Sequence, residues 1–151
     1  MAFESLLMKL LSVIVLGFNK LRYRHRFRFC GYQNLKYDTK FNINANGLIY
    51  LKQISSHYNC HFCAVGGKLI IGKHVTFNRN CIVACLKKIN IGNNVYIGPN
   101  VMIYDHNHKF NSKKVYSDKF STGSILIEDN VWIGAGCIIL RNTCIGKGSV
   151  I

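Results

Sequence analysis

The sequence predicts an all-β fold: a parallel β-helix of hexapeptide repeats, preceded by an N-terminal α-helix and interrupted by one long inserted loop. Three observations predict it. An aliphatic residue recurs every six positions from Ile71 onward, an apolar run occupies Leu6–Phe18, and the repeats are absent over 104–126. We therefore expect residues 1–40 to form the apolar helix and a basic segment, and residues 41–151 to form the β-helix.

The six-residue period indicates a coil with flat faces and corners. It cannot belong to an α-helix, whose faces repeat at 3.6 residues. The aliphatic residue should point inward and stack on its equivalent about 18 residues later. Gly or Asn suits the unusual backbone of the corner, and the residue four places on should be small. Two extra residues around Cys85–Lys88 indicate a bulge at a corner. The repeats begin at Ile71, Ile91, Ile97, Ile127, Ile133, Ile139 and Ile145.

Charge and cysteine content restrict the partners and the compartment. The chain has 20 Lys and Arg against six acidic residues, a net charge of +14. Such a field attracts polyanions, but the sequence has no helix-turn-helix spacing, zinc finger or RNP-like strand, so we do not expect nucleic acid as a partner. The odd number of cysteines, seven, and the lack of a secretory cleavage site favour free thiols in the cytoplasm.

The apolar run Leu6–Phe18 leaves two interpretations open. It is about 13 residues long, whereas a membrane span needs roughly 20. Basic residues follow it rather than precede it, unlike in a signal peptide. In one interpretation, residues 5–28 make a peripheral contact with the inner face of the membrane. In the other, the helix packs on the protein's own body or on a sister subunit. The basic cluster consists of Lys20, Arg22, Arg24, Arg26 and Arg28.

The inserted loop carries the most reactive side chains of the chain. A segment of this length without structure of its own is rare in a compact domain unless it is functional. It begins with Tyr104, Asp105, His106, Asn107 and His108. Acyl transfer from a thioester to a hydroxyl requires a base, a donor to the oxyanion and a slot for the thioester. Histidine supplies a base of near-neutral pKa.

These features together resemble the hexapeptide-repeat acetyltransferases, and most of all the maltose, galactoside and polysaccharide O-acetyltransferases. The resemblance rests on the Ile-Gly-x-x-Val-x repeats, on Asp105–His108 and on the stretch from Asn130 to Ala135, and it covers roughly 41–151. It implies a left-handed coil, a homotrimer with active sites between subunits, and acetyl-CoA as the co-substrate. The implied acceptor is a sugar hydroxyl on a surface polysaccharide or lipid-linked saccharide precursor. Such chains usually continue with further coils and a cap, which we expect to be missing here.

The resemblance also implies roles for individual residues. His108 matches the catalytic base, His106 is the second candidate, and Asp105 would orient an imidazole or cap the loop. The backbone N–H of Ala135 matches the oxyanion donor, and Trp132 would line the cleft. Solvated surface positions are the alternative for the basic residues, and Asn78 and Trp132 could be a plain corner residue and a surface aromatic. Cys85 stands where sugar-acetylating relatives carry an acidic residue. The substrate-binding candidates are Asn78, Cys85 and Tyr104. The cofactor-binding candidates are Trp132, Gly134, Ala135, Arg141 and Lys147.

Other function classes remain as alternatives. A small acceptor such as an amino sugar or serine would fit the same chemistry. A γ-carbonic-anhydrase-like β-helix would hold zinc on histidines such as His74, His106 and His108, but the spacing of the last two and the long loop favour acyl transfer. Cys60-x-x-Cys63 with His61, followed by Cys81-x-x-x-Cys85, superficially resembles a zinc site. We expect no metal centre. A scaffold without catalysis is the third alternative.

Overall fold

The computed structural model describes residues 2–151, with the side chains of residues 2–5 and of Met8 left out. It confirms the predicted parallel β-helix and its N-terminal α-helix. The helical elements are α1 (Ala2–Tyr23) and a 3-10 turn (Arg24–Arg26). The strands are β1 (Phe27–Phe29), β2 (Asn34–Leu35), β3 (Lys40–Asn44), β4 (Leu48–Ser56), β5 (His61–Val65), β6 (Lys68–Phe77), β7 (Ile82–Cys85), β8 (Lys88–Ile91), β9 (Tyr96–Ile97), β10 (Met102–Tyr104), β11 (His106–Phe110), β12 (Val115–Thr122), β13 (Ile125–Ile127), β14 (Trp132–Ile133), β15 (Ile138–Leu140) and β16 (Cys144–Ile145).

Three parallel faces build the coil. The first face is made by β1, the first half of β4, the first half of β6, β8, β13 and β16. The second contains β2, the remaining halves of β4 and β6, β9 and β14. The third is formed by β3, β5, β7, β10 and β15. The parallel ladder begins at Phe27, before the boundary predicted between residues 40 and 41.

The coil length differs from the predicted value of about 18 residues. Successive register partners on the third face are Phe41, Phe62, Val83 and Ile103, which places them 20 or 21 residues apart. Only after the insertion does the spacing fall to 18, as between Ile127 and Ile145. The strands of the earlier coils are longer, since β7 and β8 have four residues each whereas β13 and β15 have three. The bulge predicted at a corner around Cys85–Lys88 is therefore wrong, because Cys85 extends the strand β7 and only Leu86 and Lys87 form the corner.

Each coil is closed by three corners, which we number along the chain. Corner 1 joins the first face to the second (residues 72–74, 92–95, 128–131 and 146–149). Corner 2 joins the second face to the third (57–60, 78–81, 98–101 and 134–137). Corner 3 joins the third face to the next coil (45–47, 66–67, 86–87, 105–124 and 141–143). The insertion therefore leaves the body at corner 3.

Asparagine supports the corners, as the sequence suggests. At corner 2, Asn59, Asn80 and Asn100 all have positive φ, between 57 and 61°. Asparagine tolerates this backbone better than most residues. Their amides also form a ladder, since Asn59 Nδ2 donates to Asn80 Oδ1 (3.1 Å) and Asn80 Nδ2 donates to Asn100 Oδ1 (3.0 Å). The side chains thus tie successive coils together.

The interior is filled by the inward-pointing aliphatic positions. All the repeat-opening isoleucines are buried, and so are the small residues Val75, Val95, Val101 and Val131. In the N-terminal coils, Phe27, Phe41, Phe62 and Phe77 form a continuous aromatic column. Burying such side chains stabilises a fold by about 1.5–3 kcal/mol each. This core holds the corners in register.

Helix α1 packs on the first coil along one face. That face carries Ser12, Leu16, Asn19 and Tyr23, all buried. Ser12 Oγ donates to the Leu35 carbonyl (2.9 Å) and accepts from the Leu35 N–H (2.6 Å). This face of α1 therefore packs on the protein's own body, as one of the two interpretations of the apolar run predicts. Within residues 2–151, no helix is long and apolar enough to cross a bilayer.

The inserted loop has a structure of its own, contrary to the prediction. Strands β11 and β12 pair as an antiparallel hairpin, with His106 opposite Thr122 and His108 opposite Phe120. At the tip, the Asn111 side-chain oxygen accepts hydrogen bonds from the N–H groups of Lys113 and Lys114 (3.0 Å each). This local capping stabilises the turn. The insertion is an arm that projects from corner 3.

Candidate active site

Asp105 anchors the arm to the body of the coil. Its side chain is fully buried. Oδ1 accepts from the N–H of Leu86 (2.7 Å), and Oδ2 accepts from those of Lys87 (2.7 Å) and Lys88 (2.9 Å). A carboxylate that accepts several backbone N–H groups is held in one orientation. Asp105 therefore builds corner 3 in the coil that precedes the arm.

The same carboxylate contacts the first histidine of the arm. His106 Nδ1 lies 3.2 Å from Asp105 Oδ1, and the His106 side chain is 16% exposed. The ring stands edge-on to those of Tyr104 (6.0 Å between centroids) and Phe120 (5.5 Å). The His106 imidazole is thus held in one orientation at the base of the arm, by the Asp105 carboxylate and the two aromatic rings. Of the two histidines, only His106 contacts Asp105.

His108 is held by a backbone group instead. Its Nδ1 lies 3.0 Å from the Tyr116 carbonyl oxygen, and its ring packs on Phe120 at 4.7 Å between centroids. A carbonyl oxygen only accepts, so Nδ1 carries the proton in this contact. The opposite nitrogen, Nε2, then has a free lone pair. His108 is exposed, so a substrate can approach that nitrogen.

Arg141 shares an open cavity with His108. The cavity has a volume of about 220 Å³ and is also lined by Asn107, Phe110 and Ser121. Arg141 lies on corner 3 one coil after the arm, and its buried Nε has no hydrogen-bond partner within the described residues. The imidazole and a guanidinium thus face one space. An anionic or polar ligand fits such a pair.

Two predicted substrate-binding residues lie near this region but differ in access. The Tyr104 hydroxyl is directed to the Met102 sulfur (3.7 Å), and its half-buried ring contacts His106. The prediction for Cys85 is wrong, since its side chain is fully buried in the coil and cannot contact an acceptor. Burial, together with the neighbouring Asp105 carboxylate, raises the pKa of the Cys85 thiol. The Cys85 side chain instead packs in the hydrophobic core of the coil.

A second group of predicted residues lies at corner 2. The Asn78 side chain accepts from the N–H of Arg79 (2.8 Å), which is a corner contact. Gly134 N–H donates to the Ile151 carbonyl (2.8 Å), and Gly136 N–H donates to that of Pro99 (2.9 Å). Between them, the N–H of Ala135 makes no hydrogen bond to any described residue. It is available to an oxyanion.

Trp132 and Lys147 occupy two further places. Trp132 is 56% exposed on the second face, where it pairs with Tyr96, which is 60% exposed. These two rings form an aromatic surface next to corner 2. Lys147 lies on corner 1, beside a cavity of about 280 Å³ that Glu128 and Asp129 also line. Two carboxylates at this cavity disfavour a phosphate there.

The predicted site residues therefore fall on three different corners. Tyr104, Asp105, His106, His108 and Arg141 lie at or next to corner 3. Asn78, Gly134 and Ala135 are found at corner 2, with Trp132 next to it, whereas Lys147 is at corner 1. The predicted base, His108, and the predicted oxyanion donor, Ala135, are thus separated by a face of the coil. A second copy of the chain could bring a corner 2 up to the arm of the first.

No group of three or more His, Cys, Asp or Glu within the described residues is arranged to hold a metal ion. Two cysteines of the zinc-like pattern, Cys60 and Cys81, form hydrogen bonds at corner 2. Cys60 Sγ donates to the Asn78 carbonyl (3.0 Å), and Cys81 Sγ donates to that of Gly98 (3.2 Å). Both thiols are buried.

Sequence reasoning missed the residues that support the histidines. Tyr116 supplies the carbonyl that holds His108, and Phe120 packs on both imidazoles. A signal was present in the sequence, because Val115–Thr122 combines aromatic and β-branched residues, which favour strands. The turn residues Asn111–Lys114 precede it. Together they could have indicated a hairpin.

Curated relatives match the chain over more than half of its length. A putative acetyltransferase from Schizosaccharomyces pombe is 40% identical over 94 residues, which are 62% of this chain and 41% of that protein. A galactoside O-acetyltransferase from Lactococcus lactis is 37% identical over 87 residues, 57% of this chain and 42% of that protein. Over these stretches the chain is similar to proteins named as acetyltransferases. It spans less than half the length of these relatives, and no family model matches it.

Solved structures of acyltransferases share the fold of this chain. The N-acyltransferase AntD from Bacillus cereus, in complex with dTDP-4-amino-4,6-dideoxyglucose and coenzyme A, aligns with a TM-score of 0.63 at 16% identity, over 88% of this chain and 77% of AntD. A hexapeptide-repeat acetyltransferase from Vibrio cholerae, complexed with acetyl coenzyme A, gives 0.53 at 23% identity, over 87% and 62% respectively. At these identities the likeness concerns the fold.

Proposed function

We propose that the protein transfers an acetyl group from acetyl-CoA to a sugar hydroxyl, with His108 as the general base. The observation that carries this proposal is the contact between His108 Nδ1 and the Tyr116 carbonyl. It fixes the tautomer and leaves Nε2 as an exposed proton acceptor. The named acetyltransferase relatives and the CoA-bound structures of the same fold support the choice of donor.

The residues then have distinct tasks. His108 Nε2 takes the proton of the acceptor hydroxyl as its oxygen attacks the thioester carbonyl carbon. The Ala135 N–H donates to the oxyanion that forms. When the carbon–sulfur bond breaks, the imidazolium returns the proton to the departing thiolate, so the products are an O-acetyl sugar and CoA. Arg141, next to His108, meets a phosphate of the co-substrate or of the acceptor.

A homotrimer with sites between subunits is part of the proposal. The arm with His108 projects from corner 3, and the free N–H of Ala135 lies at corner 2. Two copies of a coil can bring different corners together, whereas one copy keeps them on opposite edges of a face. Closed symmetry repeats this contact three times and generates equivalent sites.

The acceptor we propose is a surface polysaccharide or a lipid-linked saccharide precursor at the inner face of the membrane. The galactoside O-acetyltransferase relative supports a sugar hydroxyl. The basic, apolar N-terminal region supports a cytoplasmic protein with a peripheral membrane contact through residues 5–28. An amino sugar is the second candidate, since AntD binds a nucleotide-linked amino sugar.

Release of the CoA thiol, measured against sugars, amino sugars and serine, tests the proposal. We expect His108→Ala to reduce the rate by about 10²- to 10⁴-fold, the usual contribution of a positioned base. His25→Ala is the matched control, because His25 is exposed in the 3-10 turn after α1, outside the corners that carry the proposed site. His106→Ala separates the two candidates. Full activity of His108→Ala would remove this residue as the base, and loss in His106→Ala alone would transfer the role to His106.

A further inference from the structure

Helix α1 has an unpartnered apolar face opposite the face that packs on the coil. The packed face carries Ser12, Leu16, Asn19 and Tyr23, at helical spacing. The opposite side is apolar and open to solvent over more than three turns. Its exposed large side chains are Leu6 (66%), Leu7 (44%), Leu10 (57%), Val13 (63%), Ile14 (55%), Phe18 (61%) and Leu21 (81%). A continuous exposed apolar surface of this kind marks a contact with another phase or molecule.

A groove lies beside this face, between α1 and the first coil. It has a volume of about 360 Å³, and its apolar wall is formed by Ile14, Val15 and Phe18 of the helix and by Phe41 of the coil. Volumes of roughly 300–1,000 Å³ are typical of small-molecule sites. The cationic side chains Arg22 and Lys40, both exposed, stand at its margin. The groove therefore combines an apolar floor with a positive rim.

The charge around the groove is predominantly positive. From Ser5 to Tyr37 the sequence has no aspartate or glutamate, whereas it has seven Lys and Arg. The nearest acid, Asp38, accepts a hydrogen bond from the Asn59 N–H (2.9 Å) on the coil. The segment after the helix adds Arg24, Arg26 and Arg28. An apolar helix face flanked mainly by positive charge complements an anionic lipid surface.

We infer that α1 and this groove dock the protein on an anionic phospholipid membrane. The exposed face of α1 enters the acyl boundary, one acyl chain lies along Ile14, Phe18 and Phe41, and the lipid phosphate meets Arg22 and Lys40. This inference deepens the membrane contact of the proposed function and does not require acetyl transfer. A second copy of the chain is a poorer occupant, because pairing this face with itself would bring two positive rims together.

Vesicle co-sedimentation of the full chain tests the docking. We expect binding to phosphatidylcholine vesicles that contain about 30% phosphatidylglycerol, and at least tenfold weaker binding to pure phosphatidylcholine, because the interaction depends on anionic lipid. Replacing Leu10, Val13 and Leu21 together by Gln should abolish binding. All three are exposed, so the fold should tolerate the change. Val115→Gln, at an apolar position that is 68% exposed on the arm, is the matched control.

A single substitution separates the groove from the helix alone. Lys40 lies on β3 of the coil, so Lys40→Gln leaves α1 unchanged. We expect it to weaken binding to the anionic vesicles several-fold, whereas Lys68→Gln, at an exposed position on β6, should have no effect. Equal effects of these two variants would refute a role of the groove in docking.

Equal binding to neutral and anionic vesicles would refute docking on an anionic membrane. Self-association that the Leu10, Val13 and Leu21 variant abolishes, without vesicle binding, would show that the face is a protein interface. Acetylation of a soluble acceptor should persist in the α1, Lys40 and Lys68 variants, so failure of docking is distinguishable from failure of the proposed chemistry.

Discussion

Removing the Asp105 carboxylate should destabilise the fold more than any other single change to an acidic side chain. The carboxylate accepts three backbone hydrogen bonds, of 2.7, 2.7 and 2.9 Å, and is fully buried. Bonds to charged groups contribute about 1.5–3 kcal/mol each, which gives an upper bound of about 4.5–9 kcal/mol for three. Leu86 is half-buried and Lys87 and Lys88 are exposed, so water can reach the freed N–H groups. We therefore expect Asp105→Ala to cost about 3–5 kcal/mol.

Asp105→Asn should cost less, because one amide oxygen can still accept. With that oxygen at the Oδ2 position, the bonds from Lys87 and Lys88 persist and the one from Leu86 is lost. We expect a loss of about 2–3 kcal/mol. Urea unfolding, followed by circular dichroism, measures both variants. With a slope of about 2 kcal/mol per molar, the midpoint should fall by roughly 1.5–2.5 M for Asp105→Ala and by about 1–1.5 M for Asp105→Asn.

Asp118→Ala, in an exposed part of the arm, is the matched control and should leave the midpoint unchanged. A midpoint for Asp105→Ala within about 0.3 M of the wild type would refute the structural role. A double-mutant cycle with His106→Ala tells which contact matters. If Asp105 acts on the corner, Asp105→Asn should cost nearly the same with or without the His106 imidazole. Strong coupling would instead assign the cost to the contact between the two side chains.

Three other predictions concern the site and the coil. The two variant proteins His108→Ala and Ala135→Pro, each inactive alone, should regain part of the activity when they are refolded together. A mixed oligomer then contains some sites with an intact His108 from one subunit and an intact Ala135 from the other. No recovery in a mixed oligomer would contradict a shared site. Gly98→Ala should lower activity and the melting temperature, since an added Cβ would lie 2.8 Å from the Ala135 nitrogen, and wild-type values would contradict this packing. The N–H and side-chain amide of Asn93 lower the pKa of Asp129 below its usual 3.8, so their contact stabilises the fold above that pH and is lost as the pH falls through the lowered value. In Asp129→Asn, the melting temperature should therefore depend less on pH between about pH 5 and 2 than in the wild type. Melting temperatures that fall in parallel in the two proteins would contradict this.

The periodicity was sufficient to predict the coil because the buried interior requires an aliphatic residue at every sixth position. Ile71, Ile97 and Ile133 are buried as predicted, and asparagines turn the corners. The length of a coil was harder to predict. A pair of residues added to a strand, such as Ala84 and Cys85 on β7, continues the alternation of outward and inward side chains, so the pattern that reveals the faces is insensitive to it. The spacing of 20 or 21 residues appears only once the register is known.

The chemistry was less predictable than the fold because the predicted roles depend on contacts between distant segments. From the sequence, Asp105 could orient either histidine. In the structure its carboxylate contacts only His106 of the two, and it accepts hydrogen bonds from three backbone N–H groups of the neighbouring coil. His108 is held by the opposite strand of the arm, through the Tyr116 carbonyl and the Phe120 ring. The tautomer of His108 therefore depends on the pairing of β11 with β12. A substitution that weakens the hairpin, such as Phe120→Ala, should reduce activity without removing any group that touches a substrate.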